Sequence, residues 1–194
     1  MPVVLWRQAL WEIKMATTTI DDLKNELDDY GDSLIINQKG ENTNIHMHAN
    51  HPDEIMKLLL SKSSVISHKV DDMLIQSQMI HHPISKIAIL TDSIADVPQS
   101  IIDQQQIVVL PLNIIIDSTV FMDKLTMTSS RFYQHMDDYQ LSPSSSQPTQ
   151  KHIERLLNQV LSHYDEVIGI FVSSKMSGTY ANILKSVSKM DLKS

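Results

Sequence analysis

Lys86-Ile87-Ala88-Ile89-Leu90-Thr91-Asp92-Ser93 is an apolar run of strand length that breaks into hydroxyls and a carboxylate. Reading it as a buried strand ending in a polar turn decides the fold of the back half of the chain. Pro98 suits the start of a helix running to about Gln105, and residues 107–110 form a second apolar run before Pro111 and a further strand-like stretch at 112–116. Ile153, Leu156, Leu157, Val160 and Leu161 recur at the i, i+3, i+4, i+7, i+8 spacing of an amphipathic helix. Residues 167–172 are a third apolar run, with Gly169 inside it, and residues 179–187 read as a closing helix. Strands alternating with helices predict a mainly parallel sheet covered by helices. Residues 129–136 read as a helix with Phe132, Tyr133 and Met136 on one face, and residues 143–148 as a serine-rich loop.

The front of the chain has a different texture. Residues 3–13 look like the middle of an element, with no clear cap or lead-in. Thr19-Ile20-Asp21-Asp22 resembles a capping box with Asp in place of Glu, and it leads into Leu23 and Leu27 with Gly31 at the expected C′ position. A strand at 33–37, a turn at 39–42 and the alternating Asn44-Ile45-His46-Met47-His48 predict a hairpin. A helix opens at Pro52, with Ile55, Met56, Leu59 and Leu60 as its apolar stripe, and 65–70 is a further strand. His81-His82-Pro83 reads as a linker, which divides the chain into residues 1–82 and 83–194. The predicted fold class is α/β: a small, hairpin-containing N-terminal domain followed by a mainly parallel sheet lobe.

The 194 residues carry 16 Lys+Arg against 23 Asp+Glu, a net charge of −7. That balance argues against nucleic acid as the main partner, because phosphate contacts want clustered basic residues. No run approaches the length of a membrane span. With no cysteine, disulfides, zinc–thiolate sites and cysteine nucleophiles are excluded, and the composition suits a reducing, cytoplasmic setting. No glycine-rich phosphate loop is present, so no ATP site of its own and no independent catalysis is expected.

Ligands of open α/β sheets sit at the carboxyl ends of the strands. Three hydroxyl-rich segments are expected there: 91–96, 143–149 and 173–179. Two of them run directly into helices, where unpaired N–H groups and partial positive charge accept an anion. Hydroxyls beside those N–H groups complete a carboxylate or phosphate cradle without any Lys or Arg. The ordinary reading of any one such serine is a helix N-cap. Asp92, at a strand end, is expected to tie down its own turn together with Ser93. His46 and His48, at i and i+2 on a strand, share one face and suit two ligands of one Zn²⁺, with His51 or His68 as a third. The alternative is two surface imidazoles on a hairpin.

These residues carry a resemblance. Lys86-Ile-Ala-Ile-Leu-Thr-Asp-Ser-Ile-Ala-Asp-Val-Pro98, Val108-Val-Leu-Pro-Leu112, Ser144-Ser-Ser-Gln-Pro-Thr149 and Phe171-Val-Ser-Ser-Lys-Met-Ser-Gly-Thr-Tyr180 resemble, in order, four motifs of the DegV family of bacterial fatty-acid-binding proteins. The resemblance implies a two-lobed protein that holds one long-chain fatty acid and gives its carboxylate to a kinase. It assigns carboxylate binding to Ser145 and Ser177, with the Gly178 N–H as helper. Asp28-Asp-Tyr-Gly-Asp-Ser-Leu-Ile-Ile36 and Ile45-His-Met-His-Ala-Asn-His-Pro52 resemble the middle domain of the bacterial fatty-acid kinase, where a metal site of the His46/His48 type is known. Asp53 and Lys124 stand where those patterns usually carry glycine. The expectation is a stretch across the junction of a kinase–DegV fusion, its DegV-type lobe truncated. The implied partners are a long-chain fatty acid and a fatty-acid kinase domain, with no transmembrane segment and only transient contact with a membrane surface. The alternative is a metal-binding or docking module without lipid binding.

Overall fold

The computed structural model describes residues 7–16 and 18–190. The chain divides into two compact units, Met1–Leu74 with Leu125–Tyr133, and Ile75–Lys124 with Gln134–Ser194.

The first unit is a four-stranded antiparallel sheet. β1 (Arg7–Met15), β2 (Asp32–Lys39), β3 (Asn42–Ala49) and β4 (Ser63–Asp72) lie in the order β2-β3-β1-β4. Residues 3–6, where an element was expected to begin, lie outside the described residues. Alternation along β1 buries Ala9, Trp11 and Ile13, and β3 buries Ile45, Met47 and Ala49 on the same face. The helices α1 (Ile20–Leu27) and α2 (Pro52–Lys62) add Leu23, Leu27, Ile55, Met56 and Leu59 to that core, all fully buried. Thr19 caps α1 as its sequence predicts, accepting the Asp22 N–H at 3.2 Å. No side chain caps α2; His51 only occupies the position before Pro52.

Gly31 was expected to end α1 in the left-handed region. Its φ is 174°, which is extended backbone, and a short 3-10 turn (Asp28–Tyr30) separates it from the helix. The glycine serves close approach instead, since a Cβ there would lie 1.9 Å from the His48 carbonyl oxygen. The left-handed glycine is Gly40 (φ 63°), in the two-residue turn between β2 and β3.

The second unit holds two sheets. β5 (Ile87–Asp92), β6 (Val108–Leu110) and β10 (Glu166–Ile170) form a parallel sheet in the order β10-β5-β6. β7 (Asn113–Ile116), β8 (Thr119–Met122) and β9 (Ser144–Ser146) form an antiparallel sheet in the order β8-β7-β9. The serine-rich 143–148 segment, expected as a loop, is therefore partly a strand. β8 was not expected either. Its hairpin turn, Asp117 (φ 47°) and Ser118 (φ 74°), reaches left-handed backbone without glycine. The Asp117 carboxylate holds the turn by accepting the N–H groups of Gln140 and Leu141 at 3.2 and 2.8 Å.

The core of this unit gathers Ala88, Leu90, Val108 and Leu110 of the parallel sheet with Ile102 of α4 (Gln99–Gln105), Ile153, Leu157 and Val160 of α6 (Gln150–Leu161) and Ile183 of α7 (Thr179–Val187). The helix α5 (Ser129–Gln134), all but its last residue in the first unit, is short and exposes Tyr133. An unforeseen helix, α3 (Met73–His81), extends into the segment read as a linker and adds Ile75 and Met79 to the core. Gln106, in left-handed backbone at the end of α4, pins the residues after α3. Its amide donates to His82 O at 2.9 Å and accepts from Ile84 N–H at 3.1 Å. Strands of parallel sheets are mostly buried on both faces. β10 instead lies at the sheet edge, and its Ile168 and Ile170 are exposed.

Two stability effects are expected in the first unit, where both tryptophans of the chain fall within residues 1–74 and report by fluorescence. Gly31→Ala should destabilise it by about 3 kcal/mol, read as a lower urea midpoint, because backbone must move to admit the methyl. His68, on the Trp11 face of β4, is bonded through Nε2 to Thr126 Oγ1 at 3.1 Å, and burial lowers its pKa from 6.5 to about 4. The unfolded chain therefore binds a proton between those values that the folded chain does not. Stability is full above pH 6.5 and falls as pH drops towards 4, by up to about 3 kcal/mol. In His68→Gln the difference between urea midpoints at pH 7 and pH 4.5 should shrink by a matching amount.

Candidate functional site

The carboxyl end of β5 is where the polar segments of the second unit meet. Thr91 Oγ1 donates to Ile170 O at 2.8 Å, at the end of β10. The Asp92 carboxylate, 1% exposed, accepts the Val172 N–H at 2.9 Å. Ser93, also buried, accepts the Leu112 N–H through Oγ at 3.0 Å, and its own N–H donates to Leu110 O at 3.0 Å. Pro111 has no N–H to offer, so the Ser93 hydroxyl takes the next donor along the chain. Three consecutive side chains thus tie the central strand to its neighbours, Thr91 to the last residue of β10 and Asp92 and Ser93 to residues that follow β10 and β6. Asp92 and Ser93 spend these polar atoms on the backbone, and the turns beyond 110 and 170 leave the sheet in set directions.

Beyond β10, residues 173–178 form a compact turn in which Ser173 O accepts the N–H groups of Met176 and Ser177 at 2.8 and 3.1 Å. Ser177 is half-buried. Its Oγ accepts the Thr179 N–H at 3.2 Å and lies 3.0 Å from Thr179 Oγ1. Gly178 then occupies the N-cap position of α7 with no side chain to cap it. Its close neighbour is an amide: a Cβ on Gly178 would stand 2.3 Å from Gln147 Nε2. Gln147 directly follows β9, so the 144–149 segment and the 173–178 turn are adjacent.

Within β9, Ser145 pairs with Ile114 and is exposed. The neighbouring Ser146, paired with Asn113, receives that residue's amide on its Oγ at 3.4 Å. Thr149 caps α6, accepting the His152 N–H at 3.3 Å. Ser146 and Thr149 each accept one hydrogen bond, Ser177 is engaged with both the N–H and the hydroxyl of Thr179 at the start of α7, and Ser145 is exposed. The expectation of three polar segments at parallel-strand ends is corrected in one respect. The segments after β5 and β10 sit there, whereas 144–146 belongs to the antiparallel sheet and comes alongside through Gln147.

Sequence reasoning passed over Gln147, Asn182 and Asn113, which join these segments. Asn182 Nδ2 donates to Gln147 Oε1, and Asn113 Nδ2 donates to Gln147 O at 3.2 Å. The available signal was Gln147's place inside the Ser-Ser-Ser-Gln-Pro-Thr run and Asn182 one helical turn beyond Gly178.

On β3 of the first unit, the rings of His46 and His48 lie 5.4 Å apart, edge to face. His48 Nδ1 is 3.5 Å from Asp32 Oδ1. Strand register sets His46 beside Leu10 and His68 beside Trp11, on opposite faces of the sheet, so His68 does not join the pair. Among the described residues, no group of three His, Asp or Glu side chains could hold a metal ion, and the donor set for zinc is incomplete. Among the same residues, no helix is long and apolar enough to cross a membrane.

Comparison with known proteins agrees with this architecture. Residues 86–193 match the model of the DegV family of uncharacterised proteins, and residues 8–80 match that of the FakA-like middle domain of fatty acid kinase. A DegV domain-containing protein of Clostridium acetobutylicum is 38% identical over 105 residues, 54% of this chain and 36% of the relative. Protein DegV of Bacillus subtilis is 30% identical over 105 residues, 54% of this chain and 37% of its own length. The crystal structure of that Bacillus subtilis DegV, described as a fatty acid binding protein, aligns with a TM-score of 0.50 at 29% identity, covering 54% of this chain and 37% of that one. The chain spans little more than a third of the length of these curated relatives. With more than half of its residues matched by the family model, carried on the parallel sheet whose strand ends Asp92 and Ser93 tie together, the chain belongs to the DegV family.

Proposed function

We propose that this chain binds a long-chain fatty acid through its DegV-type lobe and presents the carboxylate to a fatty-acid kinase domain, which phosphorylates it. In this reading residues 83–194 are the lipid-binding lobe and residues 1–82 the segment related to the kinase. The observation that carries it is the contact of the Gln147 amide with Gly178, which brings the Ser145 segment beside the Ser177 turn. A carboxylate taken out of water must be hydrogen-bonded, and charge-assisted bonds are the strong ones. The Ser145 and Ser177 hydroxyls and the Gly178 N–H are the donors, and the partial positive charge at the start of α7 favours an anion. The acyl chain contributes roughly 0.8 kcal/mol for each CH₂ it buries. The chain's own part is to hold and orient the head group. Transfer of phosphate belongs to the kinase domain with its ATP.

The fatty-acid-binding description of the Bacillus subtilis relative supports the ligand class, and the match of residues 8–80 supports the kinase as receiver. Displacement of a fluorescent fatty acid by oleate tests the first step. Ser177→Ala should weaken oleate binding by roughly tenfold or more, the loss of one bond to a charged group, with an unchanged circular dichroism spectrum. Ser145→Ala should weaken it as well. Equal affinity in wild type and both variants would remove the assignment. For the second step, adding a fatty-acid kinase and ATP should yield acyl phosphate faster from the oleate-loaded protein than from free oleate.

A further inference from the structure

Among the described residues, no backbone hydrogen bond joins residues 144–149 to the 173–179 turn; side chains make the connection. Asn113 Nδ2 on β7 donates to Gln147 O at 3.2 Å and to Ser146 Oγ at 3.4 Å, which fixes where β9 ends. The Gln147 amide then reaches across. Its Oε1 accepts from Asn182 Nδ2, and its Nε2 lies against Gly178, where even one methyl would collide with it. Asn182 N–H in turn donates to Gly178 O at 3.0 Å, so the residue that grips Gln147 also forms the first turn of α7. The amide is thus wedged between a glycine with no side chain and a donor one helical turn later. Both Gly178 and the length of the Gln147 side chain acquire a reason: a longer residue at 178 or a shorter one at 147 breaks the bridge.

We infer that Gln147 is a positioning residue of the proposed carboxylate site, acting through Gly178 and Asn182 to set the spacing between the Ser145 and Ser177 hydroxyls. The inference rests on the fatty-acid reading above and adds to it the group that registers the two halves of the socket. Gln147 itself is not assigned to the ligand.

Two readouts test it on the full chain. The first is hydrogen–deuterium exchange over residues 173–182 without ligand. The second is oleate affinity. Gln147→Ala and Gly178→Ala should each speed exchange in that segment several-fold while β5 exchanges as before, and each should weaken oleate binding by roughly tenfold. The double variant should be no weaker than the worse single one, because both changes break one bridge. Gln147→Glu keeps the acceptor for Asn182 and should restore slow exchange. Unchanged exchange in Gln147→Ala overturns the bridge. Faster exchange with unchanged oleate affinity overturns the positioning role. Failure of the wild-type protein to bind oleate removes the fatty-acid reading, and the positioning role with it, whatever the exchange shows.

Discussion

The second unit depends on the hydrogen bonds made at the last residues of β5. A parallel sheet of three strands has no hairpins to hold its ends together, and each strand must hand its chain to a crossover. Asp92 solves this with a buried carboxylate on the Val172 N–H, and Ser93 with a hydroxyl on the Leu112 N–H. A carboxylate in so enclosed a place would be costly without such a donor. With it, both outgoing turns are set by the central strand, and the candidate site inherits its geometry from them.

The same logic recurs wherever this chain lacks a regular solution. The chain has only four glycines, and it turns corners with polar side chains that reach backbone groups. Asp117 holds a left-handed hairpin turn by accepting two N–H groups, and Gln106, itself left-handed, secures the residues after α3 through both ends of its amide. Side-chain amides and carboxylates thus perform locally what glycine-rich turns do in more permissive sequences. At Gly31 and Gly178 a neighbour stands where a Cβ would be, backbone at the first and the end of the Gln147 side chain at the second.

Function in this family of folds is a property of the site, not of the sheet that carries it. Here the proposed site combines a strand from the antiparallel sheet with a turn from the parallel one, joined by amides. The first unit adds a sheet with a buried face of its own and two adjacent histidines, of which His48 lies near Asp32; among the described residues no group assembles a metal's full donor set.

The periodicity of Ile153 to Leu161, the Thr19 cap and the three apolar runs determined α6, α1 and the parallel strands, because burial and capping are local demands that show in spacing. The four motifs likewise carried the family, since their order along the chain is itself sequence. What escaped was decided by partners distant in the chain. β9 is a strand because Asn113 to Ile115 lie beside three serines that alone read as loop. β8 comes after a turn with no glycine to announce it, and α3 lacks the one-sided apolar stripe that marks a surface helix, so neither had a readable signal. Gly31 could be read as a turn former until the His48 carbonyl was found against it. The bridge from Gln147 to Gly178 and Asn182 spans more than thirty residues. Hydrogen bonds between side chains leave no period in a sequence, and only tertiary packing chose which amide would meet which turn.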